Sequence, residues 1–375
     1  MFLPRRVPLG LLAALVLVAG GCADDNDATG PSRRVTAGIR FVPLGWPADL
    51  TPDGSIAAIQ DPLSGTGDLY FFHTATGVLE YKTQVGSPLR DFATGISATG
   101  VVTALYDDPV QAGFWTDRSE WTSLASAYQK GCDADFGGAW DVSADGRSVV
   151  GLVWHGCDAE AFRWDAAGRG IMTPLERLGA SFPGSPSAPS NRATVIADDG
   201  SRVAGFAQTD QVDRWPAYWD ADGSGTLLTG KPADQPGEVL AISADGRVLA
   251  GTWGGEAYYW SEAGGFVNLG LLPGGDPFFD PTYANAVSAD GQLIFGTAGN
   301  AFFSVPRAWV WTAAGGLRDL TDVLTAAGLT LPAGTSLTGV VAASNDGTRV
   351  LGTATDAQFR TITFVLTLPQ SAYGL

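Results

Sequence analysis

One stretch of the chain decides the fold: Val239-Leu240-Ala241-Ile242-Ser243-Ala244-Asp245-Gly246-Arg247-Val248-Leu249-Ala250-Gly251. A small apolar segment leads into a Ser-Ala-Asp-Gly motif, and an apolar pair followed by glycine comes after it. Glycine and aspartate tolerate the positive φ angles of a tight hairpin turn. The stretch therefore predicts two antiparallel strands joined at Asp245 and Gly246.

The turn motif returns seven times along the chain, and its glycines are 45 to 56 residues apart. The copies lie at 51–54, 97–100, 143–146, 197–200, 243–246, 288–291 and 344–347. This period is the length of a four-stranded propeller blade. One such unit cannot bury both faces of its sheet, so the copies must stack on one another. The repeat predicts an all-β fold, a seven-bladed β-propeller.

Aromatic residues mark a third strand in each copy, such as Phe162 with Trp164 in the third. Recurring once per unit, they are predicted to pack between neighbouring sheets and not to bind a ligand. The last copy has no fourth strand after it, whereas 39–45 resembles the fourth-strand segment 266–270. We therefore expect the N-terminal strand to complete the last blade.

These motifs resemble the HAF-type extracellular repeat family. The residues that carry the resemblance are Ala257-Tyr258-Tyr259-Trp260, Gly264-Gly265-Phe266, Leu269-Gly270-Leu271-Leu272-Pro273-Gly274-Gly275, Ala286-Val287-Ser288-Ala289-Asp290-Gly291 and 316–324. The match is strong over 236–352 and weaker over 48–235, where the Leu-Gly-x-Leu element is absent or degenerate. The resemblance implies export and a propeller-like fold, and it supplies no catalytic residue.

The N-terminus is typical of a targeting segment. Two arginines precede a short apolar run over 9–18, and small residues lead directly into Cys22, which resembles a bacterial lipobox. We expect a lipoprotein signal peptide over 1–21, lipid attachment at Cys22 and a flexible tether over 22–35. The propeller then covers 36–369, and 370–375 form a C-terminal tail. The expected location is the cell envelope, periplasmic or surface-exposed. The alternative is an ordinary signal peptide with an incidental cysteine.

The formal net charge of −17, with 39 acids against 22 bases, excludes several classes of partner. Nucleic-acid binding needs a basic face, and anionic lipid attracts polybasic segments. We therefore expect no nucleic-acid partner, membrane contact through the lipid anchor only, and a monomer.

Catalytic and metal-binding patterns are scarce. The two histidines, His73 and His155, fall in turns predicted to lie on opposite faces, so neither a zinc site nor a Ser-His-Asp triad is expected. Asp276 and Asp280 are conceivable calcium ligands, but they lack the spacing of a calcium loop and are better interpreted as solvated surface acids. The sequence predicts no cofactor and no metal.

The remaining cysteines, Cys132 and Cys157, lie 13 and 12 residues from Asp145. Residues equidistant from a hairpin turn meet at its open end, and exported chains enter an oxidising compartment. We predict a Cys132–Cys157 disulfide. Two unpaired thiols or a metal-binding pair are the alternatives.

Long, varied connections occur at 124–138, 175–192, 207–216, 270–283 and 299–307, and strand alternation places them on one face. Loops on a rigid scaffold commonly carry binding residues. The candidate binding residues are Tyr128, Asp135, Phe136, Trp215, Asp276, Phe278, Phe279, Asp280 and Tyr283. The alternative is that Phe278 and Phe279 only cover blade edges.

Three hypotheses for function follow. The first is a non-enzymatic binding or scaffold propeller of the cell envelope, with a glycan or protein partner. The second is a secreted propeller enzyme, a hydrolase or lyase that acts on polysaccharide through carboxylates. The third is a structural surface protein without a ligand.

Overall fold

The computed structural model describes residues 35–86, 91–106, 111–117, 120–124, 137–155, 158–167, 170, 172–185, 187–276, 278–299 and 304–375. Seven four-stranded antiparallel sheets form the blades of a β-propeller, as the repeat predicts. Each blade runs from an inner strand a to an outer strand d.

The strands, in the order of the blades, have the following bounds. Strands a are β2 (Trp46–Leu50), β6 (Phe92–Ile96), β10 (Gly137–Val142), β14 (Asn191–Ile196), β18 (Gly237–Ile242), β22 (Thr282–Val287) and β26 (Ser336–Ala343). Strands b are β3 (Ile56–Asp61), β7 (Val102–Tyr106), β11 (Ser148–His155), β15 (Arg202–Ala207), β19 (Val248–Trp253), β23 (Ile294–Ala298) and β27 (Arg349–Thr355). Strands c are β4 (Asp68–His73), β8 (Gln111–Trp115), β12 (Asp158–Asp165), β16 (Trp215–Asp220), β20 (Glu256–Ser261), β24 (Arg307–Thr312) and β28 (Thr361–Thr367). Strands d are β5 (Val78–Gln84), β9 (Thr122–Ser123), β13 (Met172–Pro174), β17 (Gly225–Leu227), β21 (Gly265–Gly270), β25 (Gly316–Asp319) and, for the last blade, β1 (Gly38–Val42).

The ring is closed by its N-terminal strand. β1 pairs antiparallel with β28, from Gly38 opposite Thr367 to Val42 opposite Thr363, and so completes blade 7. The Thr363 hydroxyl also donates a hydrogen bond to the Leu44 carbonyl at 2.6 Å. The two ends of the chain are thereby tied together, which confirms the expected closure.

The repeated turn is held by its own side chains. In blade 3, Asp145 Oδ1 accepts hydrogen bonds from the Ser143 hydroxyl at 2.7 Å and from the Arg147 N–H at 3.0 Å. Ser143 Oγ accepts a further bond from the Ser148 N–H at 3.0 Å. Gly146 has a φ of 74°, a conformation that glycine adopts without strain. Serine, aspartate and glycine recur because each makes a separate contribution to this hairpin.

The core lies between neighbouring blades. The largest buried side chains are aromatic, and they include Trp219, Trp253, Trp309, Phe162 and Phe364. This agrees with the prediction that the recurring aromatics are structural.

The repeat does not predict two further elements that follow blades 6 and 7. A helix, α1 (Leu320–Ala326), follows β25 and is capped by the Asp319 carboxylate, which accepts from the Thr321 N–H. The segment assigned to a tail contains a 3-10 helix (Gln370–Tyr373). Tyr373 in it is almost fully buried, in edge-to-face contact with Phe295 at a centroid distance of 5.6 Å.

Strand alternation gives the ring two faces. The a–b and c–d turns lie on one, here called the short-turn face. The b–c connections and the connections between blades lie on the other, the long-connection face. Because β1 is an outer strand, it runs from the short-turn face to the long-connection face. The described chain therefore enters the ring at the short-turn face. No helix among the described residues has the length and hydrophobicity needed to cross a bilayer.

Candidate functional site

The seven inner strands enclose a central channel with a cavity of about 130 Å³. Pockets that take drug-sized ligands commonly measure about 300–1,000 Å³, so this space is small. Its walls are mostly Ala, Val, Ile and Leu. The polar side chains among its lining residues are Asp49, Asp141, Asp198, Asn285 and Asn345.

A β-bulge at the same position in every inner strand shapes this wall. The strand-a residue left without a partner is Ala48, Thr94, Trp140, Thr194, Leu240, Asn285 or Val341. A bulge re-aims the side chains next to it. The residue after the bulge lines the cavity in several blades, and it is aspartate in blades 1 and 3, Asp49 and Asp141.

Asp49 and Asp141 make equivalent hydrogen bonds to the next blade. Asp49 Oδ2 accepts from the Ile96 N–H at 2.9 Å, and Asp141 Oδ2 accepts from the Ile196 N–H at 2.8 Å. Gly95 lies between them in blade 2, where a Cβ would sit 3.1 Å from Asp141 Oδ1. Glycine at that position leaves room for the Asp141 carboxyl group.

Burial disfavours the charged form of these acids. Burial raises the pKa of Asp49 to about 7, although the hydrogen bond from the Ile96 N–H acts to lower this pKa. Burial and then the charge of Asp49 hold the pKa of Asp141 well above its ordinary value. Burial also raises the pKa of Asp198. These carboxyl groups therefore keep their protons to higher pH than ordinary aspartates do, and Asp49 is about half protonated near pH 7.

A hydrogen bond crosses the channel at its short-turn end. The second residue of the repeated turn is alanine in four copies but Asp198 in blade 4 and Asn345 in blade 7. The Asn345 side-chain amide donates to Asp198 Oδ2 at 2.6 Å. The backbone of Asn345 also joins the two neighbouring blades. Its N–H donates to Pro52 O at 2.7 Å, and its carbonyl accepts from the Ala289 N–H at 2.8 Å. The two side chains together bridge opposite sides of the ring.

Substitution of Asn345 by alanine is expected to lower the free energy of unfolding by about 1–3 kcal/mol, the cost of leaving a buried acceptor without its hydrogen-bond partner. A double-mutant cycle of Asn345→Ala and Asp198→Ala, measured by urea unfolding, isolates the bridge. Strictly additive effects would show that the two side chains do not interact.

The opposite mouth of the channel carries aromatic rings and paired charges. Trp46 stacks on Phe92 at a centroid distance of 4.6 Å, across the first two blades. Arg192 lies over the Trp140 ring at 4.5 Å and forms an ion pair with buried Glu238. Because these charges are paired with each other, we interpret the mouth as a structural network. Trp46 is the exposed indole at its rim.

The structure brings together only part of the predicted binding set. Asp276, Phe278, Phe279 and Asp280 share one connection between blades 5 and 6, where Asp276 Oδ1 accepts from the Phe278 N–H at 2.8 Å. Phe278 and Phe279 are 70% and 50% exposed and meet edge to face. Tyr283 is half-buried at the start of the following strand.

The remaining predicted residues lie elsewhere. Trp215 packs edge to face on Trp253 at 4.9 Å, and its indole N–H donates to Leu228 O at 2.7 Å, so its ring serves the contact between blades 4 and 5. Tyr128, Asp135 and Phe136 lie outside the described residues, as do Cys22, Cys132 and Cys157.

Sequence reasoning missed two kinds of residue. The channel acids could have been found by aligning the seven copies, since Asp49 and Asp141 occupy a column of otherwise small or apolar residues. Leu63 and Phe359 are 91% and 90% exposed on b–c connections of blades 1 and 7. Those loops differ between blades, so the repeat contains no pattern that would reveal them.

Within the described part of the chain, no group of three or more His, Cys, Asp or Glu side chains is placed to hold a metal ion. The channel acids are instead satisfied by backbone N–H groups and by Asn345.

No protein family matches the sequence, and no curated protein matches it either. Solved structures do resemble the fold. An oligogalacturonate lyase from Vibrio parahaemolyticus is similar with a TM-score of 0.58 and 14% identity, over 90% of this chain and 95% of that one. An oligogalacturonate lyase in complex with manganese is similar with a TM-score of 0.56 and 16% identity, over 91% of this chain and 96% of that one. A streptogramin B lyase is similar with a TM-score of 0.54 and 10% identity, over 88% of this chain and 98% of that one. At these identities the likeness shows the propeller fold alone.

Proposed function

We propose that this chain is an exported, lipid-anchored binding or scaffold propeller of the bacterial cell envelope, tethered through Cys22, which holds a glycan or protein partner on its long-connection face. The observation that carries the proposal is the one-sided placement of exposed apolar side chains. Of eleven exposed large hydrophobic residues in the described chain, seven lie on that face: Trp46, Leu63, Phe182, Phe278, Phe279, Val305 and Phe359.

The other four are accounted for separately. Val78, Leu79 and Tyr81 lie on the outer strand of blade 1, and Leu375 is the last residue. None of the eleven belongs to an a–b or c–d turn in the described residues. Contiguous exposed apolar surface commonly marks an interaction site. A ring of sheets closed by hydrogen bonds supplies a rigid base for such a site, which favours binding without loss of conformational entropy.

Changing Phe278, Phe279 and Tyr283 together to serine is expected to reduce partner capture from an envelope extract by at least about ten-fold, since buried aromatic anchors dominate interface energies. The melting temperature should change little, because two of the three rings are largely exposed. The matched control replaces Val78 and Leu79 by serine on the outer strand. Unchanged capture by the triple variant, or equal loss in the control, contradicts the proposed face. A parallel screen with glycans and peptidoglycan fragments decides between the two partner classes.

The second candidate, a carboxylate-based enzyme acting on polysaccharide, is favoured by one observation. Asp49 and Asp141 have raised pKa values, which is the property of a general acid. The small cavity of about 130 Å³ opposes it, since pockets that take drug-sized ligands commonly measure about 300–1,000 Å³. Incubation with neutral and uronic oligosaccharides tests it. Turnover that is lost in Asp49→Asn and Asp141→Asn would establish the enzyme and displace the scaffold proposal.

A further inference from the structure

The exposed apolar residues of the long-connection face are concentrated on three consecutive blades. Six of them form what is called here the apolar arc, and they run from blade 6 through blade 7 to blade 1: Phe278, Phe279, Val305, Phe359, Trp46 and Leu63. Two contacts join the loops that carry them. Ser304 Oγ donates to Phe279 O at 3.1 Å, and a Cβ on Gly45 would lie 3.0 Å from Thr361 O. The arc therefore occupies one side of the long-connection face, with close approaches between loops at the junction of blades 5 and 6 and at the junction of blades 7 and 1.

The most exposed members of the arc are held on ordered turns. Phe359 is 90% exposed, and its φ of 58° is the only positive value among non-glycine residues of the described chain. Asp356 fixes this turn, since its Oδ1 accepts from the N–H groups of Gln358 and Arg360 at 2.9 Å each. A bulky residue in that conformation is strained, and such strain persists where the surroundings fix it. The turn therefore holds the Phe359 ring in solvent although its backbone conformation is strained.

Leu63 is displayed in a similar way. Asp61 Oδ1 accepts from the Leu63 N–H at 2.9 Å, and the Ser64 hydroxyl accepts from the Asp68 N–H at 2.9 Å. Both apolar side chains thus protrude from loops whose polar groups are satisfied internally. Such preorganised anchors lose little entropy when a partner covers them.

The segment that precedes β1 is not a suitable cover for the arc. Residues 23–34 contain no large apolar side chain, and the chain enters β1 from the opposite, short-turn face. A second copy would bring together two bodies that each carry a formal net charge of −17. Anionic lipid would be repelled for the same reason.

The acids beside the arc indicate the chemistry of its partner. Asp61 and Asp68 flank Leu63 in blade 1, and Asp276 and Asp280 flank the phenylalanine pair. The arginines beside the arc, Arg360 and Arg307, are paired with Asp356 and Asp319, so the border of the arc keeps an excess of carboxylates. An apolar surface bordered by carboxylates is complementary to apolar side chains bordered by lysine or arginine.

We infer that the apolar arc docks a protein whose contact surface combines apolar side chains with lysine or arginine. This rests on the proposed function and narrows its partner class from glycan or protein to basic protein.

The probes are two short synthetic peptides in which leucine and tryptophan alternate with lysine in one and with glutamate in the other. The mature chain should bind the lysine peptide and not the glutamate peptide, with an affinity that falls as salt rises. In the double variant Leu63→Ser, Phe359→Asn the affinity should drop by at least about ten-fold. Asparagine at 359 tolerates the left-handed backbone, so the melting temperature should be unchanged or higher.

The control variant Val78→Ser, Leu79→Ser removes two other exposed apolar side chains, 55% and 37% exposed, from the outer strand of blade 1, and it should bind the lysine peptide as the unmodified chain does. An equal loss of affinity in both variants would show that the peptide binds by nonspecific charge attraction and would contradict the inference. Sedimentation with phosphatidylcholine vesicles that depends on Leu63 and Phe359 would make the arc a lipid contact. Peptidoglycan fragments bound through the same residues would make it a sugar contact. If no peptide binds while envelope capture still requires Phe278, Phe279 and Tyr283, the inference fails and the proposed function stands.

Discussion

Deletion of residues 36–45 is expected to lower the free energy of unfolding by more than about 5 kcal/mol, given about 1.5–3 kcal/mol for each large apolar side chain that loses its burial. The segment buries Ile39 and Val42 and packs Phe41 against blade 7. Its loss also leaves β28 as an unpaired edge and opens the ring.

Deletion of residues 23–34 is the matched control, because that polar segment precedes β1 and should leave stability unchanged. Urea and thermal unfolding of the two deletions, followed by far-ultraviolet circular dichroism, make the comparison. A 36–45 deletion that melts together with the control would show that β1 does not close the ring.

Replacement of Asp49 by asparagine is expected to stabilise the protein at pH 8 by on the order of 2–4 kcal/mol, since one pKa unit corresponds to about 1.4 kcal/mol. Burial raises the pKa of Asp49 from 3.8 in the unfolded chain to about 7 in the ring. Below pH 3.8 the carboxyl is protonated in both states, so the substitution should have little effect there. Between pH 3.8 and 7 the unfolded chain ionises while the folded ring keeps its proton, and the unmodified protein loses stability. Asparagine does not ionise and keeps an oxygen that can accept from the Ile96 N–H.

Asp145→Asn is the control for that substitution. Although partial burial acts the other way, hydrogen bonds from Ser143 and the Arg147 N–H hold the pKa of Asp145 below its ordinary value. This carboxylate stabilises the fold above the unfolded pKa, so its replacement should lower stability at pH 8. Urea unfolding at pH 4 and pH 8 measures both variants. The explanation of the channel acids is wrong if Asp49→Asn is less stable than the unmodified protein at pH 8. It is also wrong if the substitution raises the free energy of unfolding as much at pH 4 as at pH 8.

The architecture could be predicted from the sequence because each turn is determined locally. Ser143, Asp145 and Gly146 specify one hairpin through contacts within five residues, and seven such hairpins at a regular period fix the number of blades. The closing strand could be predicted because the last blade has only three strands of its own.

The channel could not be predicted in the same way. Asp198 and Asn345 are 147 positions apart, and their contact exists only because blades 4 and 7 face each other across a closed ring. The pKa of Asp141 likewise depends on Asp49 from another blade. Phe359 was missed for a different reason: its exposure follows from a strained turn, and nothing in the repeat distinguishes that loop from one that folds back on the surface.

Site-specific photo-cross-linking in intact cells tests the central claim, that partners dock on the long-connection face, most directly. A benzophenone amino acid would replace Phe359 on that face or Arg247 on a short turn of blade 5, where the arginine side chain is 82% exposed. We expect a discrete cross-linked adduct from position 359 and none from position 247. An adduct from position 247 alone would place the partner on the short-turn face and contradict it.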